Sequence, residues 1–226
     1  MQKRCKKTLT RTLGWAATCA HIALIGTLFA PGFYLLREVQ VKVPDVKSLL
    51  HLMPVPKYKE LVRIYDVVKS NRPEIGESEA WRVADVILEE SSKHNLDPIL
   101  VAALIEVESG FRPTVVSPVG ARGIMQIMPD VGKAIAQEIG LKIDSGSNPF
   151  RPEQLDDPVL NIKLGTYYLN DLKKNFRSLN HALVAYNVGP TEMRNRLENE
   201  IDFPIEFVNA VLSVYRKYQK PTPPLF

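Results

Sequence analysis

The side chain best suited to chemistry in this sequence of 226 residues is the carboxyl of Glu108. It lies near the end of the run Asn95-Leu-Asp-Pro-Ile-Leu-Val-Ala-Ala-Leu-Ile-Glu-Val-Glu-Ser-Gly110. Asp97 suits an N-cap, Pro98 a first helical turn and Gly110 a stop, so the run predicts a helix. From Ile99 to Val107 the run is apolar apart from Glu106, which calls for burial of most of that helix. Glu108 falls in the last turn, where unpaired carbonyls carry partial negative charge and disfavour a carboxylate by about 0.3–1 kcal/mol when exposed. Desolvation acts in the same direction, raising a carboxyl pKa. A carboxyl that keeps its proton near neutral pH can serve as a general acid.

Further polar groups follow at fixed spacing. In Ser117-Pro-Val-Gly-Ala-Arg-Gly-Ile-Met-Gln-Ile-Met-Pro129, the glycines Gly120 and Gly123 suggest backbone brought close to something, and Gln126 offers an amide between apolar residues. Asp157-Pro-Val-Leu-Asn-Ile-Lys-Leu-Gly-Thr-Tyr-Tyr-Leu169 reads as a helix capped by Asp157 with Pro158 in its first turn. Ala185-Tyr-Asn-Val-Gly-Pro190 reads as a helix end stopped by Gly189 and Pro190. Each piece alone also has a structural reading, as a turn, a core aromatic or a groove wall.

Taken together, the pieces resemble the catalytic domain of the soluble lytic transglycosylase family, which has a goose-lysozyme-like, all-α fold. The resemblance is carried by Glu108-Ser109, Ser117 to Gln126, Asn161 to Leu169 and Ala185 to Gly189, within roughly residues 95–200. Ile124 stands where Leu is usual and Val188 where Ala is usual; neither change removes a reacting group. The resemblance implies cleavage of the β-1,4 bond between N-acetylmuramic acid and N-acetylglucosamine in peptidoglycan. Glu108 would protonate the glycosidic oxygen and then take the proton of the muramic C6 hydroxyl, whose intramolecular attack leaves a 1,6-anhydro end. A tethered nucleophile spares the enzyme from positioning a water. Ser117, Gln126, Met128, Tyr168, Tyr186 and Asn187 match groove positions of the family. Ser117 and Gln126 are expected to bond sugar hydroxyls or N-acetyl groups, and Tyr186 to lie close to Glu108.

Most glycosidases use two carboxylates. Glu106 is the nearest candidate, but residues two apart on a helix point about 200° away from each other, so both cannot face one bond. Asp130, Asp144 and Asp157 carry no signal that places them in a groove. This favours chemistry in which the substrate's own N-acetyl group assists. A muramidase that lets water attack, and a non-catalytic wall-binding scaffold, remain open alternatives.

The amino terminus carries a second signal. Lys3, Arg4, Lys6, Lys7 and Arg11 precede a stretch from Thr12 to Leu36 without Asp, Glu, Lys or Arg. A helix from Leu13 to Leu36 would span roughly 36 Å, enough for a hydrocarbon core of about 30 Å. The basic flank orients the amino terminus to the cytoplasm. The expectation is a single-pass inner-membrane anchor with the catalytic domain in the periplasm. A cleaved signal peptide would want a shorter apolar core and a small-x-small site, which Leu28-Phe29-Ala30 followed by Pro31 does not offer. A lipoprotein would want a leucine-containing box ahead of Cys19, and Ala16-Ala17-Thr18 lacks it. All three readings export the remainder.

The five basic residues before position 12 account for the positive balance. The rest of the chain has 24 Lys and Arg against 25 Asp and Glu, and no basic patch interleaved with aromatics, so nucleic acid is not an expected partner. Expected partners are peptidoglycan strands, the membrane through the anchor, and cell-envelope machinery. Cys5 and Cys19 both precede residue 37, so the exported part must be held by a packed core. His21, His51, His94 and His181 show no metal-ligand spacing, and neither metal nor cofactor is expected.

Apolar residues recur at helical spacing in 58–71 (Leu61, Ile64, Tyr65, Val68) and 78–95 (Trp81, Ala84, Ile87, Leu88). Further helices are predicted at about 130–140, 158–176, 179–187, 190–200 and 204–219. The organisation expected is a basic segment 1–12, a transmembrane helix 13–36, a connector 37–56, a helical layer 57–95, a lysozyme-like catalytic domain 96–200, and a C-terminal helix and tail 201–226.

Overall fold

In the computed structural model the described residues are 55–141 and 150–220. The transmembrane helix expected at 13–36 and the ends of the chain lie outside them, as does Asp144. Among the described residues no helix is long and apolar enough to cross a membrane.

Eight helices and one short 3₁₀ turn build the described part: α1 (Val55–Asn71), α2 (Glu77–Lys93), α3 (Pro98–Ser109), α4 (Pro129–Glu138), the 3₁₀ turn Pro152–Asp156, α5 (Pro158–Phe176), α6 (Leu179–Val188), α7 (Pro190–Glu198) and α8 (Glu206–Gln219). Pairing of β type is confined to isolated antiparallel bridges, Val116 with Arg122 and Arg122 with Ile127, in the loop between α3 and α4. The all-α reading therefore holds for these residues.

Local chemistry sets the helix ends. The Asp97 carboxylate accepts from the Ile99 amide at 2.8 Å, and Pro98 supplies a fixed φ for the first turn. Gly110, at φ 59° and ψ 39°, ends α3 in the left-handed region that glycine enters without a Cβ penalty. Asp157 repeats the N-cap arrangement on α5, accepting from Val159 and Leu160.

Helix α3 is the core of the molecule because it has almost no polar face. Every residue from Ile99 to Ile105 is buried. Burying a Leu or Ile side chain contributes roughly 1.5–3 kcal/mol, so this one helix anchors much of the fold. It packs most extensively on α8, and also on α1 and α2; α2 in turn packs on α5, and α5 on α6.

Polar contacts fix α8 against α3. The Tyr215 hydroxyl donates to Asp97, Lys217 Nζ lies 3.4 Å from Glu106 Oε1, and Asn71 of α1 donates to the Tyr218 hydroxyl at 2.6 Å. Glu106 thus faces α8, on the side of α3 away from Glu108, as the helical period requires.

Candidate active site

Helix α3 delivers Glu108 to a loop that is braced from three sides. The Ser109 hydroxyl, buried at the helix end, donates to the Ile124 carbonyl at 2.7 Å. The Tyr186 hydroxyl, from α6, donates to the next carbonyl, that of Met125, at 2.9 Å. Asn161 of α5 accepts from the Met125 amide at 2.7 Å and donates to the carbonyls of Arg122 and Leu155, each at 2.9 Å. Asn161 is fully buried, and its amide is satisfied at both ends.

Two glycines permit this close packing. A Cβ at Gly123 would sit 2.1 Å from Asn161 Nδ2 and 2.2 Å from the Leu155 carbonyl, and φ is +87° there. A Cβ at Gly165, mid-helix in α5, would sit 2.6 Å from the Met125 sulfur. Arg122 locks the loop to the 3₁₀ turn through a two-pronged pair with Asp156, at 2.8 and 2.9 Å.

A groove of about 210 Å³ opens beside this loop. Its walls include Gln126 and Met128 of the loop, Tyr168 of α5, and Tyr186 and Asn187 of α6. The rings of Tyr168 and Tyr186 lie 5.4 Å apart. Gln126 adopts a left-handed conformation (φ 51°), and its side-chain amide donates to the carbonyls of Val115 at 3.0 Å and Gly123 at 2.9 Å. Those bonds offset the backbone strain and leave Oε1 as the group able to accept from a ligand. Ser117 stands outside the groove lining and closes the turn at Gly120, its hydroxyl accepting from the Ala121 amide at 3.0 Å.

Glu108 is partly buried, and no residue among those described pairs with its carboxyl. Burial alone pushes its pKa from the ordinary 4.5 to about 8. The Tyr186 hydroxyl is raised well above its usual value, first by burial and then by the negative charge of Glu108 and by Tyr168. Because that hydroxyl already donates to Met125, it cannot donate to Glu108 at the same time, and the carboxyl keeps its proton. Glu108 is not itself among the residues that line the groove, and its link to it is Tyr186, whose ring lines the groove and whose hydroxyl feels the Glu108 charge. A protonated acid next to such a wall can give a proton to a ligand and take one back.

Of the other carboxylates weighed from sequence, Asp130 is exposed in the first turn of α4 and Asp157 caps α5 and faces Arg82 at 3.6 Å. No carboxylate lines the groove among the described residues, and no group of three or more His, Cys, Asp or Glu could hold a metal there. Ser109, Asn161 and Gly165 carry the site's architecture although sequence reasoning assigned them no role. Their signal was present in the spacing of Asn161 and Gly165 along one helix.

The family model of the transglycosylase SLT domain matches residues 85–207. The soluble lytic murein transglycosylase of Salmonella typhimurium is 38% identical over 98 residues, which is 43% of this chain and 14% of that protein. A transglycosylase of Enterobacteria phage PRD1 is 35% identical over 102 residues, 45% of this chain and 33% of that protein. The membrane-bound lytic murein transglycosylase C of Glaesserella parasuis is 29% identical over 150 residues, 62% of this chain and 40% of that protein. The chain therefore spans less than half the length of these relatives. Among solved structures, the 70-kDa soluble lytic transglycosylase in complex with bulgecin A aligns with a TM-score of 0.54 at 24% identity, over 79% of this chain and 33% of that one. An inactive mutant of lytic transglycosylase Slt from Pseudomonas aeruginosa aligns with a TM-score of 0.52 at 24% identity, over 78% and 33%. These two likenesses establish the lysozyme-like fold, and the domain match establishes that the chain belongs to the transglycosylase SLT-domain family.

Proposed function

We propose that this protein is a lytic transglycosylase that cleaves the β-1,4 bond between N-acetylmuramic acid and N-acetylglucosamine in peptidoglycan, with Glu108 as its only acid and base. The observation that carries the reading is the Glu108 carboxyl itself: largely desolvated, without a cationic partner among the described residues, and pushed up to about 8 by that burial. At neutral pH it holds a proton to give to the glycosidic oxygen as the bond breaks. Once ionised in a dry site it is a strong base, and it recovers a proton from the C6 hydroxyl as that oxygen closes on the anomeric carbon. Among the described residues no carboxylate lines the groove to act as nucleophile or to orient water, which favours attack by the sugar's own hydroxyl and assistance from its N-acetyl group.

Tyr168, Met128 and Asn187 form walls suited to sugar faces and amides, while Gln126 offers an acceptor to a sugar hydroxyl or N-acetyl N–H. Ser117 acts through the loop it closes. The expected place of work is the cell envelope, with residues 13–36 as a single membrane anchor, consistent with membrane-bound relatives.

The test is digestion of purified sacculi by the full chain in detergent. Glu108→Gln should lower the rate by at least about 10²-fold, the lower range for a general acid. The native rate should fall as pH rises through about 8, where the carboxyl loses its proton. A Glu108→Gln protein that digests sacculi at the native rate overturns the proposal. Native protein that binds sacculi without releasing fragments points to a scaffold.

A further inference from the structure

A second concavity, of about 450 Å³, shares no lining residue with the groove. It lies where the end of α2 and the turn into α3 meet the last turns of α5, and it is lined by Lys93, His94, Asn95, Asn170, Lys173 and Lys174. Three of the six residues are cationic and no carboxylate is among them. Lys93 is already committed, with Nζ at 2.6 Å from Glu89 and 2.8 Å from Glu90. Lys173 and Lys174, in the last turn of α5 where the helix's carbonyl end offsets part of their charge, pair with no carboxylate among the described residues.

The cleft is also organised. With its amide oriented to satisfy both ends, the buried Asn170 donates to the His94 carbonyl and accepts from Lys174 Nζ, each at 3.2 Å. This holds the Lys174 ammonium at the cleft wall. His94 is held edge-on to the Tyr167 ring, at 5.6 Å between centroids, with Glu90 3.8 Å from its Nε2.

We infer that this cleft is a binding site for a phosphoryl group, held by Lys173 and Lys174 with His94 and Asn95 beside them. The ligand class follows from the cations. The lining has no guanidinium, whose fork matches carboxylate and phosphate alike; lysine is a compact point charge that holds phosphoryl oxygens without a bidentate geometry. Free phosphate and a phospholipid headgroup both present that chemistry.

His94 reports occupancy. Burial holds its pKa below the ordinary value, Glu90 opposes that, and Lys174 and Lys93 add to the lowering. A dianion in the cleft offsets the lysines and moves the His94 titration upward.

The experiment is imidazole NMR on the full chain in neutral detergent, with His94 assigned through His94→Gln. Sodium phosphate is titrated against sodium chloride at matched ionic strength, and dihexanoyl phosphatidic acid is titrated in parallel. The expected result is a saturable upward shift of the His94 pKa with a Kd of about 1 mM or tighter. The double variant Lys173→Ala/Lys174→Ala should weaken binding by about tenfold or more, the worth of a lost charge-assisted bond. Lys163→Ala, on the same helix outside the cleft, should bind as native does. Tenfold tighter binding of the phosphatidic acid identifies a lipid headgroup as the source, and equal binding identifies free phosphate. Failure of phosphate and phosphatidic acid alike to shift His94 beyond chloride, or undiminished binding by the double variant, overturns the inference. Sacculus digestion by the double variant should match the native rate, so this site and the Glu108 mechanism fail or stand separately.

Discussion

Glu108→Gln should make the protein more stable, and increasingly so as pH rises. In the unfolded chain the Glu108 carboxyl has its ordinary pKa of 4.5, and in the folded protein about 8. A group whose pKa is raised by folding supports the fold fully below the unfolded pKa and loses that support as pH rises through the folded pKa. At about 1.36 kcal/mol per unit, the whole difference is roughly 4–5 kcal/mol above pH 8. Near pH 7 the unfolded chain has already ionised while the folded one has not, and about 3 kcal/mol of the penalty is present. Glutamine has nearly the same shape and no charge to desolvate, so it escapes the penalty. Urea unfolding of both proteins at pH 5, 7 and 9, in the same detergent, measures the gap. It should widen from about 0.8 kcal/mol at pH 5 to about 3 kcal/mol at pH 7 and further at pH 9. A gap that stays constant over that range would mean that Glu108 titrates as a solvated acid, and the reasoning about its burial would be wrong.

The other predictions concern the braces of the loop. Asn161→Ala orphans the Met125 amide and the Leu155 carbonyl, at about 1–3 kcal/mol each, while Ile127 still serves the Arg122 carbonyl; thermal unfolding should show a loss of about 2–6 kcal/mol. Gly123→Ala drives a Cβ into Asn161 and the Leu155 carbonyl at a positive φ and should cost about 3 kcal/mol or more, read as a lowered urea midpoint. Tyr186→Phe leaves the Met125 carbonyl without its partner, for about 1–2 kcal/mol of stability, and should slow sacculus digestion while leaving the native secondary structure intact by circular dichroism.

Much of this was legible from residue types. Asp97, Pro98 and Gly110 bracket α3 because capping and stopping are local chemistry, and Asp157 with Pro158 starts α5 for the same reason. The unbroken apolar run of α3 pointed to a central helix, and Ile99 to Ile105 are buried as that requires. The helical period separated Glu106 from Glu108, and Lys217 of α8 meets the former. Less legible were the roles of polar side chains that serve backbone. Ser117 and Gln126 were expected to address sugar, and the structure adds a second task to each: Ser117 closes a turn and the Gln126 amide nitrogen binds Val115 and Gly123. Asn161 belonged to the stretch that carried the resemblance, but its bracing role was not readable, because its partners Met125, Arg122 and Leu155 come within reach only after the loop folds onto α5. Such pairings depend on tertiary approach and leave no mark in periodicity or capping. The cleft at Lys173 and Lys174 is of the same kind, since it forms only when the turn at His94 packs beside them.

The central claim is that one buried carboxyl moves the proton both ways while the sugar's own hydroxyl attacks. It is tested most directly by digesting sacculi with the full chain in water enriched in heavy oxygen and weighing the muropeptides. The account predicts products one water lighter than hydrolysed ones, with no heavy oxygen at the new muramic end, formed at least about 10²-fold more slowly by Glu108→Gln. Reducing ends that carry the heavy oxygen would contradict it and identify water as the nucleophile.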